Sequence, residues 1–135
     1  MSTRLFAYGT LRQGGSAPAE IAAAVATLRP LGKGVARGQL YDLGAYPGAV
    51  FAGDTLGATD IDGEVYEVPD ASTWQQLDAY EGFEPGDLAS SLFVRRQIDV
   101  RMAEGGGDAV CWAYEYNRAT GRTNSGVAHW PDAAR

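Results

Sequence analysis

Cysteine, histidine and positive charge are all scarce in this 135-residue sequence, and each shortage closes off a class of function. Cys111 is the only cysteine, so an intrachain disulfide is excluded and a zinc cluster has no set of thiols to build on. His129 is the only histidine and sits in the tail segment HWPDAAR. A Ser-His-Asp or Cys-His arrangement would have to use it, and nothing resembling GxSxG accompanies it. The 11 Lys and Arg are outnumbered by 17 Asp and Glu, for a net charge of -6. That balance speaks against a nucleic-acid partner, because binding by counterion release needs clustered cations. No apolar run approaches the roughly eighteen residues of a membrane span. The opening MSTRLFAYG lacks the long apolar stretch of a signal peptide. Metal ligands are nowhere assembled in a recognisable spacing. What remains is the expectation of a soluble, cytoplasmic protein.

What is present is ordinary for a globular chain: 45% apolar, 10% aromatic and 21% charged residues. The length predicts one domain over 1–135, with residues 118–135 as a less regular C-terminal tail. RLFAY (4–8) reads as a buried first strand stopped by Gly9. SAPAEIAAAVATL (16–28) reads as a helix, with Ser16 as cap, Pro18 in the first turn, an apolar stripe of Ile21, Val25 and Leu28, and Pro30 as its end. Strand-like segments come next at 35–43, 48–52 and 60–68, punctuated at Gly44, Pro47-Gly48 and Gly53. A second helix is predicted over about 70–81, capped by Asp70 or Ser72 and stopped by Gly82. SLFVRRQIDVRM (91–102) and DAVCWAYEYN (108–117), joined by EGGGD, form a predicted hairpin. Many strands, few helices and short connections predict an α+β fold: a small mixed, mostly antiparallel β-barrel or sheet flanked by two main helices.

The second helix places one carboxylate unexpectedly. At about 100° per residue, Trp74 and Leu77 define an apolar direction, and Glu81 projects within about 40° of either. Glu81 also closes the last turn, where the carbonyl ends carry partial negative charge. Burial and that dipole both disfavour the ionised form and predict a raised pKa, which suits general acid–base work. The competing reading has Glu81 reaching solvent at a fraying end or pairing with Arg95. Asp78, on nearly the same side, either orients a ligand amine, holds a loop, or serves as a local hydrogen-bond acceptor. A paired-carboxylate hydrolase could use Asp78 and Glu81, although a helical i,i+3 pair does not by itself indicate one.

Other segments read structurally. The run GKGVARG fits neither GxGxxG nor GxxxxGK[ST] and reads as a turn entering a strand. Cys111 starts a strand on whose one face Trp112, Tyr114 and Tyr116 fall, with Cys111 and Glu115 on the other. The seven tyrosines, Tyr8, Tyr41, Tyr46, Tyr66, Tyr80, Tyr114 and Tyr116, are read mainly as packing residues, with one or two hydroxyls free to line a pocket.

Taken in order, several segments resemble the gamma-glutamylcyclotransferase-like family. Tyr8-Gly9-Thr10-Leu11 is similar to its YG[ST]L loop, and GQLYDLGAYPG (38–48) to its second signature. LDAYEG (77–82) resembles its LDxxEG helix end, which puts Glu81 at the catalytic position. FVRRQIDV and CWAYEYN look like its last two strands, so the resemblance covers about residues 4–117. Phe93 stands where the family often has tyrosine, and the usual Gly-Asp-Trp close is matched only loosely by Ser125-Gly126 and Trp130.

The resemblance implies a cyclotransferase that releases 5-oxoproline and a free amine from a small γ-glutamyl compound, with Glu81 as general acid and base. It also implies that Tyr8, Gly9, Thr10 and Leu11 bind the substrate, largely through main-chain N–H groups, with Gly9 allowing close approach. No cofactor or metal is called for, and oligomeric state is left open. Specificity is assigned to loops around 44–57 and 83–91. The alternative is a non-catalytic module that binds a small ligand in the same pocket.

Overall fold

The structure, a computed structural model, describes residues 3–8, 19–42, 47–51, 58–105 and 107–117. Gly9, Thr10, Leu11, Ser16, Pro18, the tail from residue 118 and most of the predicted loop at 44–57 lie outside the described residues.

Strand β1 (Arg4–Ala7) owes its position to a run that is apolar on both faces. Leu5 and Ala7 point one way and Phe6 the other, followed by Tyr8, and all four are buried. Such a strand belongs in the middle of a sheet. It runs antiparallel to β4 (Thr59–Glu67) and parallel to β6 (Asp108–Tyr116), with Leu5 opposite Trp112. The remaining strands are β2 (Arg29–Asp42), β3 (Pro47–Val50) and β5 (Phe93–Met102), and the sheet order is β3-β2-β4-β1-β6-β5. A further pairing of β2 with β5, Gly34 with Met102 and Val35 with Arg101, joins the two flanks. Strands β2, β4, β1, β6 and β5 therefore close into a mixed five-stranded barrel, with β3 carried on the far end of β2. The predicted hairpin is present in full register from Phe93–Tyr116 to Arg101–Asp108.

Gly32, Lys33 and Gly34 belong to β2 rather than to a turn before it, and the strand starts at Arg29. The glycines that suggested a turn are needed by the barrel. A Cβ on Gly34 would meet Val100 Cγ1 at 2.6 Å, just where β2 reaches across to β5. Pro30 lies inside β2 at a register shift between Pro30 and Gly32, an irregularity that tolerates its missing N–H.

The barrel separates two cores. Its interior holds Phe6, Tyr8, Leu40, Ile61, Val65, Val100 and Cys111. Its outer face, under the helices, gathers Leu5, Ala7, Tyr66, Leu77, Phe93 and Tyr114 together with Ile21, Val25 and Leu28. Helix α1 (Ala19–Ala26) packs Ile21 and Val25 of the predicted stripe and ends before Thr27, whose hydroxyl donates to the Ala24 carbonyl at 2.7 Å, so that Leu28 packs from beyond the helix. Helix α2 (Ala71–Glu81) starts at Asp70, whose carboxylate accepts the Thr73 N–H at 2.8 Å, and stops at Gly82 with φ +71°. Among the described residues no helix is long and apolar enough to cross a membrane.

Candidate active site

Helix α2 lays its apolar side on the outer core through Leu77, with Trp74 and Tyr80 alongside. Glu81, four residues after Leu77, therefore points inward too and is only 4% exposed. The reading in which this side chain reaches solvent at a fraying end is ruled out. The chain beyond Glu81 keeps the turn fixed. The Gly82 and Phe83 N–H groups donate to the Ala79 and Asp78 carbonyls at 3.2 and 2.9 Å, closing the helix. Leu92 N–H donates to the Gly82 carbonyl at 3.0 Å, and fully buried Ser91 accepts the Glu84 N–H at 2.8 Å. Asn117 reaches the Leu88 and Ser91 carbonyls, tying this loop to the end of β6. A short 3-10 helix over Leu88–Ser90, which the sequence does not advertise, lies within it.

One turn before Glu81, Asp78 is 8% exposed and holds two partners. The Tyr114 hydroxyl donates to its Oδ1 at 2.6 Å, and Arg95 Nη2 donates to its Oδ2 at 3.3 Å. Arg95 Nε is also 3.1 Å from Oδ1, an ionic contact whose N–H direction misses hydrogen-bond alignment. Arg95 and Tyr114 face each other across the β5–β6 ladder, so one cross-strand pair delivers both donors to one carboxylate. The guanidinium lies over the rings of Trp74 and Trp112, 4.5 and 4.9 Å from their centroids. Burial, followed by the charge and hydrogen bond of Asp78, pushes the Tyr114 phenol far above its usual range, while Arg95 opposes the shift. The hydroxyl is a permanent donor.

Tyr8 terminates the β1 segment inside the barrel. Its hydroxyl donates to the Tyr114 carbonyl at 2.7 Å and accepts the Ala49 N–H at 3.2 Å. Its ring packs edge-on to Phe51, whose N–H donates to Glu115 Oε2 at 2.7 Å. The residue leading into Gly9-Thr10-Leu11 is thus anchored to both β6 and β3. Phe93, at the family's tyrosine position, is 1% exposed and packs edge-on to Tyr116.

Cys111 is fully buried in the barrel, and burial pushes its thiol up to about 11 despite the opposing influence of Arg4. Among the described residues no group of three His, Cys, Asp or Glu stands together to hold a metal ion. A cleft of about 680 Å³ opens at the β2–β5 seam, lined by Arg37, Phe51, Arg96 and Ile98 among others; neither Tyr8 nor Glu81 is among its described lining residues. The sequence pointed to Glu81, Tyr8 and Asp78 but not to Tyr114, which is hydrogen-bonded to both Tyr8 and Asp78. Its only signal was a tyrosine on the outward face of the strand opposite Arg95.

The family described as "Gamma-glutamyl cyclotransferase, AIG2-like" matches residues 5–132. Gamma-L-glutamyl-butirosin B gamma-glutamyl cyclotransferase from Niallia circulans is 35% identical over 115 residues, covering 84% of this chain and 67% of that protein. The crystal structure of YkqA from Bacillus subtilis is similar with a TM-score of 0.62 and 25% identity. That match covers 87% of this chain but 36% of YkqA, so the chain spans about a third of that protein. An AIG2-like protein from Mus musculus has a TM-score of 0.67 at 20% identity over 98% of both chains, a likeness of fold.

Proposed function

From the premise that this chain belongs to the gamma-glutamyl cyclotransferase, AIG2-like family of enzymes, we propose that it releases 5-oxoproline from a small γ-glutamyl substrate, with Glu81 as general acid and base. The observation that carries the reading is the burial of Glu81 at the end of a helix seated on the outer face of β1, the strand that leads into Tyr8-Gly9-Thr10-Leu11. A carboxylate out of water at the negative end of a helix has a heightened affinity for protons.

The substrate supplies its own nucleophile. Its α-amine attacks the γ-carbonyl carbon, a carbon–nitrogen bond forms to close the five-membered ring, and the bond to the leaving nitrogen breaks. In becoming the ring N–H the α-ammonium loses two protons: one passes to solvent as the amine is freed for attack, and Glu81 takes the other and returns it to the leaving nitrogen, so a free amine departs and the carboxylate is restored. Folding the substrate until amine and carbonyl meet replaces a bimolecular encounter and is worth roughly 7–11 kcal/mol in well-oriented cases. Main-chain N–H groups of Tyr8, Gly9, Thr10 and Leu11 hold the γ-glutamyl group and steady the developing oxyanion.

The substrate class is a γ-glutamyl amine, a γ-glutamyl amino acid or a γ-glutamyl-protected biosynthetic intermediate. The Niallia circulans relative, which by its name acts on γ-L-glutamyl-butirosin B, supports the last of these. A cytoplasmic setting suits the buried thiol of Cys111. The test is release of 5-oxoproline from a panel of such compounds by the wild type and by Glu81→Gln. Turnover by the wild type and its loss in Glu81→Gln support the reading, and equal turnover removes Glu81 from the mechanism. Tight binding without turnover of any compound replaces the enzyme with a binding module.

A further inference from the structure

Two separate hydrogen bonds meet at Tyr114, one through its side chain and one through its backbone. Its side-chain hydroxyl donates to Asp78 Oδ1 at 2.6 Å, in the turn of α2 before Glu81. Its backbone carbonyl accepts the Tyr8 hydroxyl at 2.7 Å, at the entrance to the proposed binding loop. Both contacts are buried, and Tyr114 itself is 3% exposed. No covalent element links α2 directly to β1: Glu81 is at the end of a helix and Tyr8 at the end of a strand, in different parts of the chain. Tyr114 sits between them on β6, a strand registered to β1 through Leu5–Trp112 and to β5 through Arg95–Tyr114. Arg95 completes the arrangement by holding the other oxygen of Asp78 while stacked over Trp74 and Trp112.

Resting on the cyclotransferase reading, we propose that Tyr114 is a positioning residue that sets the distance between the proton-transferring carboxylate on α2 and the substrate-binding Tyr8 at the end of β1. Its phenol restrains the Glu81 side and its carbonyl the Tyr8 side. The two arms are separable by chemistry. Tyr114→Phe keeps the ring and the carbonyl and removes only the link to Asp78, so it loosens Glu81 and leaves Tyr8 in place. Tyr8→Phe removes the other link, so it loosens the end of β1.

Two kinds of measurement test this: steady-state kinetics of 5-oxoproline release, and amide hydrogen exchange at Gly82 and Phe83, which needs no activity. For Tyr114→Phe, kcat falls roughly 10- to 100-fold with KM within about twofold, as expected when a catalytic group is misplaced by a fraction of an ångström. For Tyr8→Phe the larger change is in KM. Exchange at Gly82 and Phe83 in Tyr114→Phe quickens by about tenfold. Asp78→Asn, which retains an acceptor for the phenol, keeps more of kcat than Asp78→Ala. A Tyr114→Phe protein with wild-type kcat, or with the loss expressed in KM, overturns the proposal, as does unchanged exchange at Gly82 and Phe83. Absence of turnover in the wild type as well sinks the cyclotransferase reading instead, and the exchange result alone then upholds or overturns the mechanical link.

Discussion

Replacing Gly63 by alanine should damage both the barrel and substrate binding, through two neighbours on β1. Gly63 lies in β4 opposite Gly34 of β2. A Cβ there would lie 2.6 Å from the Ala7 carbonyl oxygen, and 2.6 and 2.7 Å from Cζ and Cε1 of Phe6. Neither neighbour can yield easily. The carbonyl is backbone of the central strand, and the Phe6 ring is 1% exposed and packed against Tyr8 and Phe51. Overpacking of this kind costs about 1–3 kcal/mol, of which the reduced freedom of the unfolded chain offsets roughly 0.4–1. The net loss is about 1–2 kcal/mol, or roughly 3–8 °C in Tm for a chain of this size. Urea unfolding should show a lower midpoint with an unchanged slope. Because Ala7 immediately precedes Tyr8, KM for the γ-glutamyl substrate should rise as well. Gly86→Ala is the control: nothing stands within 4 Å of its Cβ position. If Gly63→Ala proves as stable as Gly86→Ala and the wild type, the close approach of β1 and β4 is not what fixes the barrel.

Asp70→Ala removes the cap of α2. The N–H and then the hydroxyl of Thr73 hold the Asp70 carboxyl below its usual range, so its contribution is present above the unfolded pKa and is lost as pH falls through the lower folded value. Wild type should therefore exceed the variant in urea midpoint at pH 7, and the two should converge as pH drops below about 4. Arg95→Met strands Asp78, whose side chain is 12% exposed, and should cost about 2 kcal/mol by urea unfolding, less than a fully buried pair because Arg95 is 21% exposed. Equal stability would mean that Tyr114 alone satisfies the carboxylate. Cys111, fully buried with its thiol pushed up to about 11, should react with a disulfide reagent only at the rate of unfolding. Prompt labelling of the native protein would place the thiol outside the barrel.

The local signals in the sequence translated well where one stretch of chain determines its own form. Asp70 and Gly82 bracket α2 because a cap and a left-handed stop are chosen within a few residues, and the β5–β6 hairpin needs only its own alternation. Burial of Glu81 was legible for the same reason, since its angle relative to Trp74 and Leu77 is internal to the helix. The start of β2 was not. Gly32 and Gly34 both look like turn residues, yet they are fixed by different means: a φ of +132° disfavours a side chain at Gly32, whereas at Gly34 it is the arrival of β5 that leaves no room for one. The partners of Asp78 were hidden likewise. Its acidity and helical position are local, but Tyr114 and Arg95 come from a distant hairpin. The Tyr8 hydroxyl, bonded to β6 and β3, belongs to the same class.

The parallel registration of Leu5 with Trp112 also dictates when the molecule can finish folding. As the chain leaves the ribosome, β1 emerges early and can dock on β4 once residue 67 is out, but its other edge has no mate until residue 112 has emerged. Until then that edge is open to foreign strands. Completion therefore waits on a pairing between distant parts of the chain, the kind of contact that slows folding in general.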